Sequence, residues 1–145
     1  MKRFEFPLER VLAWRRTQAA VEQSKLDQVQ AELSNLIAQA NQVALHREAA
    51  SRTIHTSGSA TGAELARLDT YRQAAATEIH SLEHRREECR ERLDRQAVVV
   101  ADRRREVKLL ERLKERRLAT WKAQLSREIE QDAAEAYLSR WNADV

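Results

Sequence analysis

The chain is 145 residues long, the size of one domain, and Ala, Glu, Lys, Leu and Arg make up more than half of it, which points to long helices or a coiled coil. Two glycines and one proline are too few for the turns of an all-β fold, and the Gly-rich loop of a Rossmann or P-loop enzyme is absent. The 26 Lys and Arg nearly cancel the 23 Asp and Glu, so a pI near 9.3 is not in itself a nucleic-acid signature.

Leu, Ile, Val and Phe amount to about a fifth of the chain, thin for a globular core but suited to a two-helix seam. Disorder is the rival reading of so low a figure. The net charge of +3 is too small to drive it, and the periodicity below argues against it. Cys89, alone, allows no internal disulfide and suits a reducing, cytosolic setting. The expectation is of no transmembrane span and no signal peptide, because apolar stretches such as Ala97 to Ala101 are short and Met1-Lys2-Arg3 opens no apolar segment.

Pro7, the sole proline, suits a helix start. The only breaker cluster is Thr56-Ser57-Gly58-Ser59-Ala60-Thr61-Gly62, and Thr61 with Glu64 forms a capping box. The expected elements are a helix over about 8–54, a turn over about 55–62 and a helix over about 62–141. In the first, Leu26, Leu33, Ala40 and Ile54 share a heptad position broken by Arg47, and Val29, Leu36, Val43 and Ala50 share the next. In the second, Leu65, Ile79, Leu93, Val100 and Val107 share one position, interrupted by Arg72 and Arg86. Leu68, Ala75, Leu82, Cys89 and Leu110 share the other, interrupted by Gln96 and Arg103. This is an a/d seam at period 3.5, followed by an 11-residue spacing through Val107, Leu118 and Ile129 that straightens the supercoil or reverses its hand.

A short turn makes the helices antiparallel neighbours, so the expected fold class is all-α, a single two-helix coiled-coil hairpin over 1–145. One register sets Leu36 against Ile79, Leu33 against Leu82, Leu26 against Cys89, Ala50 against Leu65, and Leu8 near Val107; a slip of one heptad is the alternative, because the seam is rich in Ala and Arg. In it everything after roughly Glu111 projects past the first helix as an arm, on a second helix on the order of 120 Å long. The arm carries Leu118, Trp121, Leu125, Ile129, Tyr137, Leu138 and Trp141, which suggest a partner surface. Self-association, or packing on the end that holds Phe4, Phe6 and Trp14, is the plainer alternative. Nine basic residues against three acidic lie between Arg103 and Lys122, whereas Ala123 to Val145 is net acidic. A solvated face with i,i+4 pairs and a basic docking patch both fit that run.

Enzymatic constellations are missing, and no cofactor is implied. His80 and His84 have metal-ligand spacing on a helix, but Glu83 is misplaced for the zinc-protease motif and the only further ligand in view is a seam thiol. Cys89 in a buried seam is expected to be inert. Basic residues with Trp121 could meet phosphates and bases, yet acidic residues interleave them almost everywhere, so no nucleic-acid partner is expected.

The opening Phe4-Glu5-Phe6-Pro7-Leu8-Glu9-Arg10-Val11-Leu12 with Trp14-Arg15-Arg16, and the later Val107-Lys108-Leu109-Leu110-Glu111-Arg112-Leu113-Lys114-Glu115-Arg116-Arg117 with Trp121 and Ser139-Arg140-Trp141, resemble FliJ-type flagellar export proteins. The resemblance implies a non-enzymatic cytoplasmic component of the flagellar type III export apparatus, at the inner face of the cell membrane at the flagellar base. It would be a stalk that binds and activates the hexameric export ATPase, touches the export gate membrane protein and escorts some export chaperones, without inserting into the membrane. The residues it assigns to the ATPase are Phe4, Phe6, Leu8, Arg10, Val11, Arg15, Arg104, Leu110, Lys114, Arg116, Arg117 and Trp121. For the export gate the candidates are Gln39, Val43, His46, Tyr71 and Ala75, in a mid-hairpin patch poorer in aromatics than the family pattern. A structural coiled-coil spacer, or the stalk counterpart of an injectisome, would share the shape.

Overall fold

The computed structural model describes residues 2–145. Helix α1 (Glu9–Thr56, 48 residues) and helix α2 (Gly62–Ala143, 82 residues) hold about nine-tenths of the chain, with no strand among the described residues. The fold is an all-α antiparallel hairpin with the longer helix second, and both helix ends fall within two residues of the sequence expectation.

Local chemistry explains the boundaries. Pro7 lies in a turn closed by the Glu9 amide donating to the Phe6 carbonyl at 3.1 Å, which hands the chain into α1. Gly58 takes a φ of +70°, a left-handed conformation that ends α1 at little steric cost. The capping box forms in both directions: the Thr61 amide donates to Glu64 Oε2 and the Glu64 amide to Thr61 Oγ1, each at 3.2 Å.

The chain divides into two compact units. One comprises Val21–Val100, which includes the turn; the other joins the described residues up to Ala20 with Ala101–Val145. In the turn unit, Leu68, Ala75, Leu82 and Cys89 form a buried line at heptad spacing along α2, and Val100 is buried too. Leu36 joins Leu82 and Cys89 as a core cluster covered by Val29, Leu33, Ala40 and Val43. The neighbouring heptad row of α2 sits at the seam's edge nearer the turn, with Leu65 half exposed and Ile79 and Leu93 half-buried, and it goes under only at Val100. Its arginines are the physical reason: the stretch of that row carrying Arg72 and Arg86 cannot be desolvated cheaply, so between Leu68 and Cys89 α2 turns its other row inward.

The register differs from the expected one. Cys89 faces Val29, its thiol donating to the Val29 carbonyl at 3.6 Å, and Leu36 clusters with Leu82 and Cys89; Leu26 is not Cys89's partner. Pairing the Val29–Leu36–Val43 row of α1 with the Leu68–Ala75–Leu82–Cys89 stretch of α2, which is apolar throughout, buries more apolar surface than the register that mixes in the arginine row. The polar interruption at Gln96 is satisfied, since its amide donates to the Glu22 carbonyl at 2.9 Å and to Glu22 Oε2 at 2.6 Å.

Candidate functional site

The residues of the two end motifs meet inside one unit. Lys114 pairs with Glu9 at 2.8 Å and Arg15 with Glu106 at 2.9 Å, so Leu12 falls opposite Leu110. Leu12 is fully buried and Phe6 nearly so, and together they anchor the unit. Leu8 therefore sits near Lys114 rather than near Val107, a shift that carries the segment before α1 further along α2. That segment reaches Trp121, where the Phe4 and Trp121 rings lie 5.9 Å apart at 55° and the indole N–H donates to the Lys2 carbonyl at 3.2 Å. The Arg117 guanidinium stands 5.9 Å above the Phe6 ring.

Phe4, Phe6, Arg117 and Trp121 thus form one cluster from opposite ends of the sequence, and Leu8, Leu110 and Lys114 lie along the same pairing. Phe6 is consumed by this packing and offers no surface. Val11 and Arg10 are exposed, as are Arg104 and Arg116. Arg15 is held three ways, by Glu106, by Gln18 and by stacking 5.0 Å from the Trp14 ring. The spacing of the motifs does not reveal Leu12 as the anchor, nor Glu9, Glu106 and Glu111 as the acids that fix the cations, because their partners sit about a hundred residues away.

Those ion pairs sort the basic run into two groups. Arg16 pairs with Glu111 at 3.0 Å, Arg103 with Glu106 at 3.3 Å, and Arg105 with Asp102 at 3.2 Å. The Glu111–Glu115 repulsion expected at i,i+4 is offset for Glu111 by Arg16. Arg10, Lys108, Arg112 and Arg116 are exposed and have no ion-pair partner among the described residues. On α2, Lys108, Arg112 and Arg116 recur every four residues and form one cationic stripe.

The unpaired arm begins later than expected. Leu118, Trp121 and Leu125 remain half-buried, and every residue from Ser126 onward is exposed, because the segment before α1 covers α2 well past Glu111. Trp121 is thereby satisfied within its own unit, as the plainer alternative holds, while Ile129, Tyr137, Leu138 and Trp141 remain exposed. Ala134, Tyr137, Leu138 and Trp141 stand at i, i+3, i+4 and i+7, on one helical face.

In the turn unit, four of the five export-gate candidates come together. Val43, His46, Tyr71 and Ala75 line an open groove of about 350 Å³ with Gln42, Ala74 and Glu78; Gln39 is outside it. Ala75 is buried at its floor and Tyr71 exposed at its side. The Arg92–Glu32 ion pair, 2.8 Å, crosses the same unit; hydrogen bonding and charge from Arg92 hold the Glu32 carboxyl below its ordinary range. His84 Nε2 lies 3.1 Å from Glu88, and no group of three metal-ligating side chains occurs among the described residues. No helix among them is long and apolar enough to cross a membrane.

The chain matches no protein-family model, no curated protein and no solved structure.

Proposed function

We propose that this chain is a FliJ-type stalk, a non-enzymatic component of the flagellar export apparatus. Its Phe4–Trp121 end docks in the hexameric export ATPase and activates it. The observation that carries this reading is the convergence of the two end motifs on one cluster beside a stripe of exposed cations that pair with no acid among the described residues. Packing alone accounts for Phe6 and Leu12, but not for Lys108, Arg112 and Arg116 aligned on an outward face. Such a stripe is attracted to an acidic ring opening over about a Debye length, roughly 10 Å, which raises the rate of encounter.

On this reading the Tyr71 groove is the surface for the export gate, and the exposed arm with Tyr137 and Trp141 is open to an export chaperone. The protein would work in the cytoplasm at the base of the flagellum, held to the membrane through partners. The rival is a coiled-coil spacer, favoured by how fully Phe4, Phe6, Arg15 and Trp121 are used inside the fold. ATPase assembly and turnover, measured with and without the chain, separate the two. The stalk predicts more hexamer and faster turnover, both weakened by charge reversal of Lys108, Arg112 and Arg116 to Glu, but not by reversal of Arg85 and Arg90. Loss of the effect in both variants alike refutes end-on docking, and no effect of the wild-type chain leaves the spacer.

A further inference from the structure

The arginines that interrupt the seam near the turn are left unused by the proposed function. Arg47 holds a heptad position otherwise filled by Leu26, Leu33, Ala40 and Ile54, and Arg72, like Arg86 further on, interrupts the row of Leu65, Ile79 and Leu93. A cation at such a position gives up apolar burial, and here Arg72 is exposed and Arg47 half-buried, so both stay accessible from the groove. Both arginines line one open groove of about 610 Å³. Arg52, His55 and Ser51 line it too, and its one carboxylate, Glu48, is already engaged by Arg52 at 3.2 Å.

No acidic side chain pairs with Arg47 or Arg72 among the described residues. The Arg72 fork closes on a single neutral oxygen: Nη2 donates to Ser51 Oγ at 2.8 Å and Nε to the same atom at 3.2 Å. Ser51 Oγ in turn donates to the Arg47 carbonyl at 3.1 Å. A guanidinium presents two parallel N–H groups that match the paired oxygens of an oxyanion, and a hydroxyl satisfies that geometry poorly. The dipole of α1 does not account for these charges. It acts within the last turn, where His55 sits; Arg47 lies more than two turns earlier and Arg72 is on α2.

We infer that the groove between Arg47 and Arg72 is a binding site for a phosphate group, with Arg72 as its bidentate donor and Arg47 as the opposing charge; Ser51 Oγ, whose one proton goes to the Arg47 carbonyl, is the acceptor that holds the Arg72 fork until phosphate takes its place. A free phosphate and the phosphate of a lipid headgroup share this chemistry, and the test distinguishes them.

The test uses the full chain at constant ionic strength. Inorganic phosphate is titrated against chloride while the Arg47 and Arg72 side-chain N–H signals and the Ser51 amide are followed by NMR. In parallel, the chain is sedimented with vesicles of phosphatidylcholine, with and without phosphatidylglycerol. Saturable shifts in the titration assign the site to free phosphate. Co-sedimentation confined to the phosphatidylglycerol vesicles, with no such shifts, assigns it to a headgroup. In either case R47Q and R72Q should each weaken binding about tenfold or more, the loss expected when a charge-assisted hydrogen-bonding group is removed, whereas R85Q should not. The variant R47L/R72L should abolish binding and raise the melting temperature measured without phosphate, because leucine makes each row apolar beside the groove. The inference is overturned by binding in neither arm, by binding that R47Q and R72Q leave intact, or by a lower melting temperature for R47L/R72L, which would make the arginines structural.

Discussion

Leu12→Ala is the sharpest test of how the two end motifs are held together. Among the described residues the wholly buried side chains are Leu12 and the smaller Cys89, and Leu12 lies opposite Leu110 between the Glu9–Lys114 and Arg15–Glu106 ion pairs. Truncation of a fully buried leucine costs about 2–5 kcal/mol, the larger values arising where a rigid surround leaves a cavity. Here Leu8 and Leu110 are only half-buried and the seam is one residue deep, so the helices can close on the gap. The expected loss is therefore about 2–3 kcal/mol, near the transfer value for the removed methyl groups with a small cavity contribution. Urea unfolding followed by circular dichroism should show a lower midpoint with an unchanged slope. Leu45→Ala is the control: with Leu45 64% exposed, the change should stay within about 0.5 kcal/mol. A loss below about 1 kcal/mol for Leu12→Ala would mean that the motif does not depend on this anchor, and the pairing of Leu12 with Leu110 would have to be abandoned.

Removal of Arg127–Val145 should leave the thermal midpoint within about 1 °C of the full chain, because every residue of the deleted segment is exposed; a larger drop would show that the arm is covered in solution. Thr61→Ala should cost about 1 kcal/mol in a denaturant titration by opening the capping box at the start of α2, and an unchanged midpoint would show that the cap is not formed. Glu32 is held below its ordinary pKa by Arg92, so the stability it contributes is present above the ordinary carboxylate range and is lost as pH falls through the depressed value. Melting curves between neutral and acid pH should accordingly show wild type above Glu32→Gln at neutrality, with the gap closing in acid. A gap that is constant with pH would contradict the ion pair.

The two helices were legible in the sequence because their signals are local. Thr61 and Glu64 are three residues apart, the breaker cluster is unique, and heptad rows can be read along a single helix. Which rows face each other is not local information. The arginines at 72 and 86 mark their stretch of that row as costly to bury, and weighting them favours the register that sets Cys89 against Val29. The end cluster was legible only as two motifs. Phe4 against Trp121 and Arg117 over Phe6 depend on an extended segment before α1, for which helix periodicity makes no provision.

That same segment bears on what the exposed cations can do. If α2 ran bare from Glu111 onward, its basic run would be one undivided cylinder of charge, open to any acidic surface. Instead, Glu9, Glu106 and Glu111 tie down Lys114, Arg15, Arg103 and Arg16 on the inner side of the unit, and α2 keeps Lys108, Arg112 and Arg116 outward. Paired surface charges of this kind contribute little to stability, about 0–1 kcal/mol each, so their main physical consequence is to fix where the remaining charge points. A charge reversal confined to the inner group would disturb packing and docking together. Reversal of the outward stripe leaves the pairs intact, so helix content should be unchanged while any electrostatic partner is repelled. A salt titration sharpens this: association driven by the stripe should weaken steeply as ionic strength rises, and the stripe variant should show a much flatter dependence. Equal salt dependence in the two proteins would move the docking surface away from Lys108, Arg112 and Arg116.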